Sequence, residues 1–387
     1  MKVVFLSNYF NHHQRMLSDA LYSFFDSYSF METQVMEDER KNMGWSLKQY
    51  PSYVVTVDDF EAHRYKYQRE INEADVVIIG SAPNKLVEKR RKDKKLTFRY
   101  SERPLKKGIE PLKFIPRYLK WRVKAIDGNN TYMLCASAYT AADYAKFGLF
   151  KNKCYKWGYF PETVIYKDID ELISQKKKNS ILWVARMIDW KHPEVAVEVA
   201  KRLKKDGYDF ELNIIGTGTL ENQIKESIIS DGLDDCVHML GSMPPEQVRV
   251  HMEQSEIFIF TSDRNEGWGA VLNESMNSAC AVVASHAIGS VPYLVDDKKN
   301  GLIYKDGDIE DIYNKTKWLF DNLEERKNIA KEAYRTIVNE WNAENAAKKF
   351  IALADRILNG EKSPDIYDSG VCSKAESLKN NWYNKST

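Results

Sequence analysis

Apolar residues along the chain fall into short runs that alternate with helical patterns. In the second half, continuous apolar runs are each followed by a segment whose apolar positions are three and four residues apart. Strands and helices are predicted there, in chain order, at 180–185, 193–204, 211–215, 220–229, 237–240, 246–254, 257–260, 270–278 and 281–284. Strands that alternate with helices of this length form right-handed βαβ units, so this half predicts a parallel α/β sheet.

The first half shows the same alternation less clearly. Strands are predicted at 3–6, 76–79, 96–100 and 132–135, and helices at 14–25, 111–125 and 141–147. The pattern between residues 32 and 53 is weak, and no element is assigned there.

Two halves of this kind predict two Rossmann-like domains, since a chain of 387 residues exceeds what one hydrophobic core usually serves. We place them at 1–160 and 165–335 and expect them to face a central cleft, where such domains bind ligands. Segment 336–387 is predicted to be a helix that packs back toward the first domain and ends in a polar tail.

The composition is typical of a globular protein, with 43% hydrophobic and 29% charged residues. No run of about 18 apolar residues is present, so no membrane-spanning helix is predicted. Five cysteines form no Cys-x-x-Cys or Cys/His pair, which argues against a metal site. With no signal-peptide pattern at the N-terminus, we expect a cytoplasmic location.

The charge is unevenly distributed, although the net charge is only +1. Residues 85–124 contain 16 Lys or Arg and 4 Asp or Glu, a net charge of +12, so the remaining residues carry −11. This segment predicts an anionic partner, such as a lipid-linked acceptor or the inner face of an anionic membrane, or else an ordinary solvated surface. Nucleic acid is not expected, because no known binding motif accompanies the cations.

Candidate functional residues follow the strands of the second half, where parallel sheets bind their ligands. Arg186 follows the strand 180–185 and Lys191 precedes the next helix, so both cations can converge on one pyrophosphate. Taken alone, this spacing is more typical of two surface cations. Gly216 and Gly218 would let backbone N–H groups approach a phosphate closely. A tight turn that binds no ligand is an equally common reason for two glycines at such a position.

A second group of candidates follows the strand 257–260, where the sequence reads TSDRNEGWGAVLNE. Glu266 lies at the entrance of the next helix and Glu274 lies within it. Eight helical residues rise about 12 Å, roughly the distance from sugar to ribose in a nucleotide sugar. Gly267 and Gly269 free the backbone at a helix start, which attracts phosphate. The structural alternatives are a first-turn carboxylate for Glu266 and a buried cap partner for Glu274.

Together these residues resemble the retaining glycosyltransferases of family 4, which share the GT-B fold. The matching pieces span 180–304 and read VARMIDWKHPEVAVEVAKRL, LNIIGTGTL, FIFTSDRNEGWGAVLNESMNSACAVVAS and NGLIY. The resemblance implies that Arg186 and Lys191 hold the donor diphosphate. It also implies that Glu266 binds the transferred sugar and that Glu274 binds the ribose. Phosphate support would come from the backbone N–H groups of Gly269, Ala270 and Val271. No metal and no other cofactor is implied.

The first half departs from this family. Many members have a Gly-Gly loop after the first strand and a His after the middle strand, whereas this chain reads SNYFNHH and RYSER there. His12 and His13 are candidates for acceptor or sugar contacts, or else surface histidines. Glu102 and Arg103 are candidates because they follow the strand 96–100. A later loop, GSVPY, has Tyr293 where the family has Glu.

The resemblance implies a hexosyltransferase that moves a sugar from a nucleoside diphosphate to a hydroxyl acceptor with retention of configuration. UDP is the expected nucleotide, with GDP and ADP as alternatives, and the setting is polysaccharide, capsule or surface-glycan biosynthesis. A non-catalytic GT-B partner subunit is the main alternative, although it would lose some of the four charged residues. A dinucleotide-dependent oxidoreductase is disfavoured, since Glu221 stands where the third fingerprint glycine would fall.

Overall fold

The computed structural model describes residues 1–25, 27–38, 49–108, 115–116, 118–119, 128 and 130–383. The chain divides into two compact units. The first contains residues 1–162 and 342–379, and the second contains residues 163–341 and the end of the chain from residue 380. Most of the predicted helix 111–125 lies outside the described residues.

The described strands of the first unit form one parallel sheet of seven strands. Its elements up to residue 162 are β1 (Lys2–Ser7), α1 (His12–Phe24), β2 (Ser27–Glu32), β3 (Val54–Val55), α2 (Val57–Ala62), α3 (Arg64–Glu73), β4 (Val76–Ile79), a 3-10 turn (Asn84–Val87), α4 (Glu88–Lys92), β5 (Thr97–Ser101), β6 (Thr131–Cys135), α5 (Thr140–Ala145) and β7 (Cys154–Lys156). The strand order is β3-β2-β1-β4-β5-β6-β7. The central strands are buried and apolar because helices cover both faces of such a sheet.

The second unit contains a parallel sheet of six described strands. Its elements are α6 (Ile169–Ser174), β8 (Lys177–Val184), a 3-10 turn (Asp189–Lys191), α7 (Pro193–Lys205), β9 (Glu211–Ile215), α8 (Glu221–Ser230), β10 (Val237–Gly241), α9 (Pro245–Gln254), β11 (Ser255–Phe260), α10 (Val271–Asn277), β12 (Ala281–Ser285), α11 (Val291–Leu294), β13 (Leu302–Tyr304), α12 (Ile309–Asp321) and α13 (Leu323–Asn339). The strand order is β10-β9-β8-β11-β12-β13. Each unit is therefore a Rossmann-like domain, which confirms the predicted α/β class. None of the described helices is long and apolar enough to cross a membrane.

Each unit contains a buried cation that donates hydrogen bonds to several backbone carbonyl oxygens. In the first unit, the Arg90 guanidinium donates to the carbonyl oxygens of Ile71, Ala74 and Leu96 at 2.8, 2.6 and 2.6 Å. The Ile71 and Ala74 carbonyls lie at the C-terminal end of α3. The last carbonyl groups of a helix have no N–H partner within the helix. Arg90 is therefore a structural residue that joins α3 to the start of β5.

Lys176 has the corresponding role in the second unit. Its ammonium donates hydrogen bonds of 2.8–3.0 Å to four carbonyl oxygens, those of Met252, Glu253, Ser255 and Ser278. These carbonyls lie in the last turn of α9 or directly after α9 and α10. One cation therefore supplies the donors for carbonyl groups at the C-terminal ends of two helices. Burial lowers the pKa of Lys176, and the four acceptors stabilise its charged form.

The C-terminal segment returns to the first unit. Helix α14 (Ala343–Leu358) packs against α1. The polar tail then pairs with β7, where the Lys156 N–H donates to the Ser373 carbonyl (2.8 Å) and the Cys372 N–H donates to the Lys156 carbonyl (2.9 Å). Val371 and Cys372 are buried. The tail thus covers the backbone edge that β7 presents at the end of the sheet.

Candidate active site

The candidate site of the second unit lies at the carboxyl ends of two neighbouring strands. Strands β8 and β11 pair in parallel, with Ile181 opposite Ile257 and Leu182 opposite Phe258. Their carboxyl ends therefore meet at one edge of the sheet. The segments that follow them contain Arg186 and Lys191 in one case and Glu266 in the other.

Lys191 and Glu266 form an ion pair at this edge. Their side chains are only 13% and 10% exposed, so the pair is largely shielded from water. The Ser262 hydroxyl donates to the same carboxylate at 3.1 Å, and the Lys191 ammonium lies 4.3 Å from the centre of the Trp190 ring. The structure thus brings together the predicted diphosphate-binding cation and the predicted sugar-binding acid.

A chain of hydrogen bonds fixes the Lys191 backbone to β11. The buried Trp183 indole N–H donates to the Thr261 hydroxyl oxygen at 2.8 Å, and the Thr261 hydroxyl donates to the Lys191 carbonyl at 2.6 Å. The Asp263 N–H donates to the Trp190 carbonyl at 3.1 Å. Neither Trp183 nor Thr261 is a candidate from the sequence, because their role depends on strand pairing.

Glu274 lies half-buried on α10. Burial raises the pKa of its carboxyl group to about 7, while the positive charge of Arg249 acts in the opposite direction. Within the described part of the chain, no residue donates a hydrogen bond to the Glu274 carboxylate. Such a group is a suitable acceptor for ligand hydroxyls.

Arg186 is exposed and lies two residues beyond β8, in the same segment as Lys191. Its carbonyl accepts a hydrogen bond of 3.0 Å from the Ile188 N–H, which tightens the turn toward Lys191. Arg186 thus lies at the strand end, and its convergence with Lys191 on one diphosphate stays a prediction.

The glycines near the site are required by close backbone packing. A Cβ atom on Gly216, which has a φ of 133°, would lie 1.8 Å from the Ala185 carbonyl oxygen. A Cβ on Gly218 would lie 2.3 Å from the Met187 carbonyl oxygen. The Gly216 N–H already donates to the Gly241 carbonyl at 2.8 Å. This corrects the expected phosphate contact of Gly216, because its donor is used within the unit.

Gly269 belongs to the segment that follows Glu266. With a φ of 82°, it adopts a backbone conformation that favours glycine, and a Cβ there would lie 2.5 Å from the Phe260 ring. Gly267 lies two residues before it, Ala270 is the N-cap of α10, and Val271 is the first residue of that helix. A larger residue at position 269 would displace the segment that carries Glu266.

An aromatic cluster also packs around the segment that contains Glu266 and Gly269. Trp268 is fully buried and its indole N–H donates to the Asn273 side-chain oxygen at 2.8 Å. Its ring centre lies 5.8 Å from that of Trp341, which in turn stacks on Tyr293 at 5.8 Å. Tyr293, the residue that departs from the family pattern, therefore contributes to packing around the Glu266 segment.

His192 is a further residue that sequence reasoning missed. It follows Lys191 in the left-handed conformation, with a φ of 51°, which is uncommon for a residue with a side chain. Its Nδ1 atom lies 2.7 Å from Glu194, and its Nε2 atom lies 3.8 Å from Asp263. The hydrogen bond with Glu194 raises the pKa of His192. The local sequence gives no sign of this left-handed conformation beside Lys191.

In the first unit, Tyr159 contacts two of the four candidate residues, His13 and Glu102. The rings of His12 and His13 have centres 4.0 Å apart, and the His13 ring stacks on Tyr159 at 6.1 Å. The Tyr159 hydroxyl donates to the Glu102 carboxylate at 2.9 Å. Tyr159 was not predicted, because it follows β7 far along the chain.

Arg103 is placed differently from its predicted role. Its side chain and that of Asp143 are both only 1% exposed and form an ion pair at 3.3 Å. Its guanidinium also lies 4.5 Å from the centre of the Tyr139 ring. These contacts make Arg103 a residue of the domain interior, which corrects the expected substrate contact.

The basic segment 85–124 is also less exposed than its charge suggests. Arg90 and Arg103 are buried, so neither can contribute to a charged surface. Lys89 and Lys92 are exposed and form ion pairs within α4 or at its end. Residues 109–114, 117 and 120–124 of this segment lie outside the described residues. Among the described cations, the cluster 89–92 is therefore interrupted by a structural arginine.

Comparison with known proteins places this geometry in context. Residues 165–336 match the family described as glycosyl transferases group 1. The amylovoran biosynthesis glycosyltransferase AmsK of Erwinia amylovora is 35% identical over 135 residues, which are 34% of this chain and 33% of the relative. The matched region is thus about a third of that relative's length.

Solved structures are similar over nearly the whole chain. HepE of Anabaena in complex with UDP superimposes with a TM-score of 0.66 at 14% identity, covering 92% of this chain and 100% of HepE. A glycosyltransferase of Rickettsia africae also gives a TM-score of 0.66 at 14% identity, covering 93% and 99%. The chain therefore has the fold of these two-domain glycosyltransferases, and its second unit matches the group 1 glycosyl transferase family.

Proposed function

We propose that the protein is a retaining glycosyltransferase that uses a nucleoside-diphosphate sugar, with UDP as the nucleotide. The sugar is transferred to a hydroxyl acceptor in polysaccharide, capsule or surface-glycan biosynthesis. The observation that carries this proposal is the shielded pair of Lys191 and Glu266 at the carboxyl ends of β8 and β11. The family match of residues 165–336 supports the reaction class.

The charges of this site suit a nucleotide sugar. An ammonium group has three N–H donors, so Lys191 can hold Glu266 and still donate to a diphosphate oxygen. Arg186 supplies a second cation from the same segment, and the two together would stabilise the negative charge that develops on the leaving diphosphate. The N–H groups of Ala270 and Val271 would add donors for the phosphates.

The two acids bind different parts of the donor in this proposal. Glu266, oriented by Lys191 and Ser262, would accept hydrogen bonds from hydroxyls of the transferred sugar. Glu274 has an available carboxylate on α10 and would accept from the ribose hydroxyls. HepE has been solved with UDP, which supports the choice of nucleotide.

The acceptor oxygen forms a bond to the anomeric carbon on the face from which the diphosphate leaves. The bond between that carbon and the diphosphate oxygen breaks, and the acceptor proton passes to the departing diphosphate. The cations carry the electrostatic task in this scheme, so we propose that no metal or other cofactor is needed.

A non-catalytic partner subunit of another transferase is the second candidate. It is less well supported, because the chain keeps Arg186, Lys191, Glu266 and Glu274. We further propose a cytoplasmic protein that contacts the inner membrane face through exposed cations of segment 85–124.

A panel of UDP-, GDP- and ADP-sugars tests the proposed function. The purified protein, incubated with each donor in EDTA, should release the nucleoside diphosphate from at least one UDP-sugar. Proton NMR of the sugar product should show the anomeric configuration of the donor. Turnover that EDTA abolishes and Mg²⁺ or Mn²⁺ restores would refute the metal-free mechanism, and no turnover with any donor would favour the partner-subunit role.

A further inference from the structure

Residues that follow three strands of the first unit lie at one edge of its sheet. Glu102 follows β5 directly, Tyr159 lies three residues beyond β7, and His13 lies in the first turn of the helix that follows β1. All three strands are parallel, so these residues share the carboxyl edge of the sheet, where α/β domains bind their ligands.

The Glu102 carboxylate is held by two donors on different oxygens. The Tyr159 hydroxyl donates to Oε1 at 2.9 Å, and the Lys106 ammonium donates to Oε2 at 2.6 Å. Because each carboxylate oxygen can accept two hydrogen bonds, both keep capacity for a ligand. The Glu102 side chain is 27% exposed, so a ligand can reach it from solvent.

Tyr159 is fixed in the orientation that this contact requires. Its ring packs edge-on against Tyr100 at 5.9 Å, and the Tyr100 hydroxyl donates to the Gly158 carbonyl at 3.3 Å. Burial raises the pKa of Tyr159, and the nearby Glu102 charge acts in the same direction. The Tyr159 hydroxyl therefore stays protonated at neutral pH and remains a donor to Glu102.

We propose that Glu102, positioned by Tyr159 and Lys106, binds the hydroxyl groups of a neutral sugar acceptor. A carboxylate paired with an ammonium has no net charge, and it offers acceptor and donor atoms side by side, as vicinal hydroxyls require. The carboxylate has acceptor atoms only and cannot donate to phosphate oxygens, so this position favours the hydroxyl groups of a glycan end over a lipid phosphate. The inference rests on the proposed transferase function and identifies the chemical class of its acceptor.

The test compares Glu102→Gln and Tyr159→Phe with wild type. The control is Glu88→Gln, an exposed acid on α4 of the same unit. Neutral methyl glycosides and disaccharides serve as acceptors, with the UDP-sugar that the wild type hydrolyses as donor. The acceptor KM should rise at least tenfold in Glu102→Gln and about threefold in Tyr159→Phe. Donor hydrolysis without acceptor should fall by a smaller factor than transfer does in both variants, and the control should match wild type.

The outcomes separate this inference from the proposed function. An unchanged acceptor KM in Glu102→Gln, or an equal loss of transfer and donor hydrolysis, would overturn the acceptor role. If no donor is turned over, ligand-detected NMR with the same glycosides still decides the matter. Wild-type binding that Glu102→Gln abolishes supports the site, and absent or unaltered binding overturns it.

Discussion

The two units use their buried cations in the same way, and each also has a less buried lysine that pairs with an acid. Arg90 in the first unit and Lys176 in the second each satisfy several backbone carbonyls. In the second unit, Lys191 is instead held beside an acid and keeps N–H donors for a ligand. In the first unit, the half-exposed Lys106 pairs with Glu102. Burial and partner type, more than charge, thus separate a structural cation from a candidate binding cation.

The largest effect should follow removal of the two structural cations. Arg90→Met and Lys176→Met should each lower the free energy of unfolding by about 4 kcal/mol or more, because several buried carbonyls lose their donors at roughly 1–3 kcal/mol each. Lys177→Met, an exposed neighbour, should cost less than about 1 kcal/mol. Urea denaturation measures all three. A Lys176→Met midpoint equal to that of Lys177→Met would remove the distinction between the two kinds of cation.

Removal of the candidate binding groups should affect catalysis while leaving the fold intact. Arg186→Ala and Lys191→Ala should each lower kcat/KM through a loss of about 2–4 kcal/mol of transition-state stabilisation. Glu266→Gln should lose most turnover. Since Lys191 and Glu266 are in contact, the double variant should lose less than the sum of the single variants. Lys201→Ala, an exposed cation on α7, is the control. Wild-type rates in all variants would refute the site.

Glu274 should give a smaller effect that depends on pH. Only the ionised carboxylate can accept from both ribose hydroxyls, and burial raises its pKa to about 7. The donor KM should therefore rise as the pH falls below 7, approaching about tenfold per pH unit. Glu274→Gln should raise the donor KM at high pH, flatten this dependence and change kcat little. If the donor KM of Glu274→Gln depends on pH as steeply as that of the wild type, another group is responsible for the titration. The control is Glu226→Gln, a change at an exposed acid.

The basic segment should show the smallest effect for each residue changed, about 1 kcal/mol per cation near an anionic lipid surface. The test must leave Arg90 in place, since its loss would unfold the domain. Exposed lysines are reversed to Glu together, at positions 89, 92, 94 and 107. The control reverses exposed lysines of the second unit, at positions 205, 225, 298 and 299. Co-sedimentation with anionic vesicles should weaken in the first variant and at high salt, and equal sedimentation of both variants would exclude this segment.

The elements that the sequence predicted well are those buried on both faces. β4 was located to the residue, and β1 and β6 to within one residue, because each is a continuous apolar run. β2 reads SYSFME and α3 reads RYKYQREINE, and neither was predicted. Their polar residues obscure the periodicity, and neighbouring elements, not local propensity, decide their conformation.

The residues of the candidate site also differ in whether the sequence could predict them. Lys191, Glu266 and Glu274 could be predicted because each follows or lies close to a strand end, so local spacing identifies them. Tyr159 and Trp268 could not, because their contacts join residues that are distant in sequence. Arg103 was misread for a related reason, since the burial that pairs it with Asp143 depends on the fold.

The pairing of residues 371–375 with β7 has a practical consequence for making the protein. A chain shortened to end at residue 360 would leave the β7 backbone unpaired at the sheet edge. Exposed strand edges template association between copies, so such a chain should be prone to aggregation. Removal of the polar tail as a crystallisation strategy should therefore lower the yield of monomeric protein.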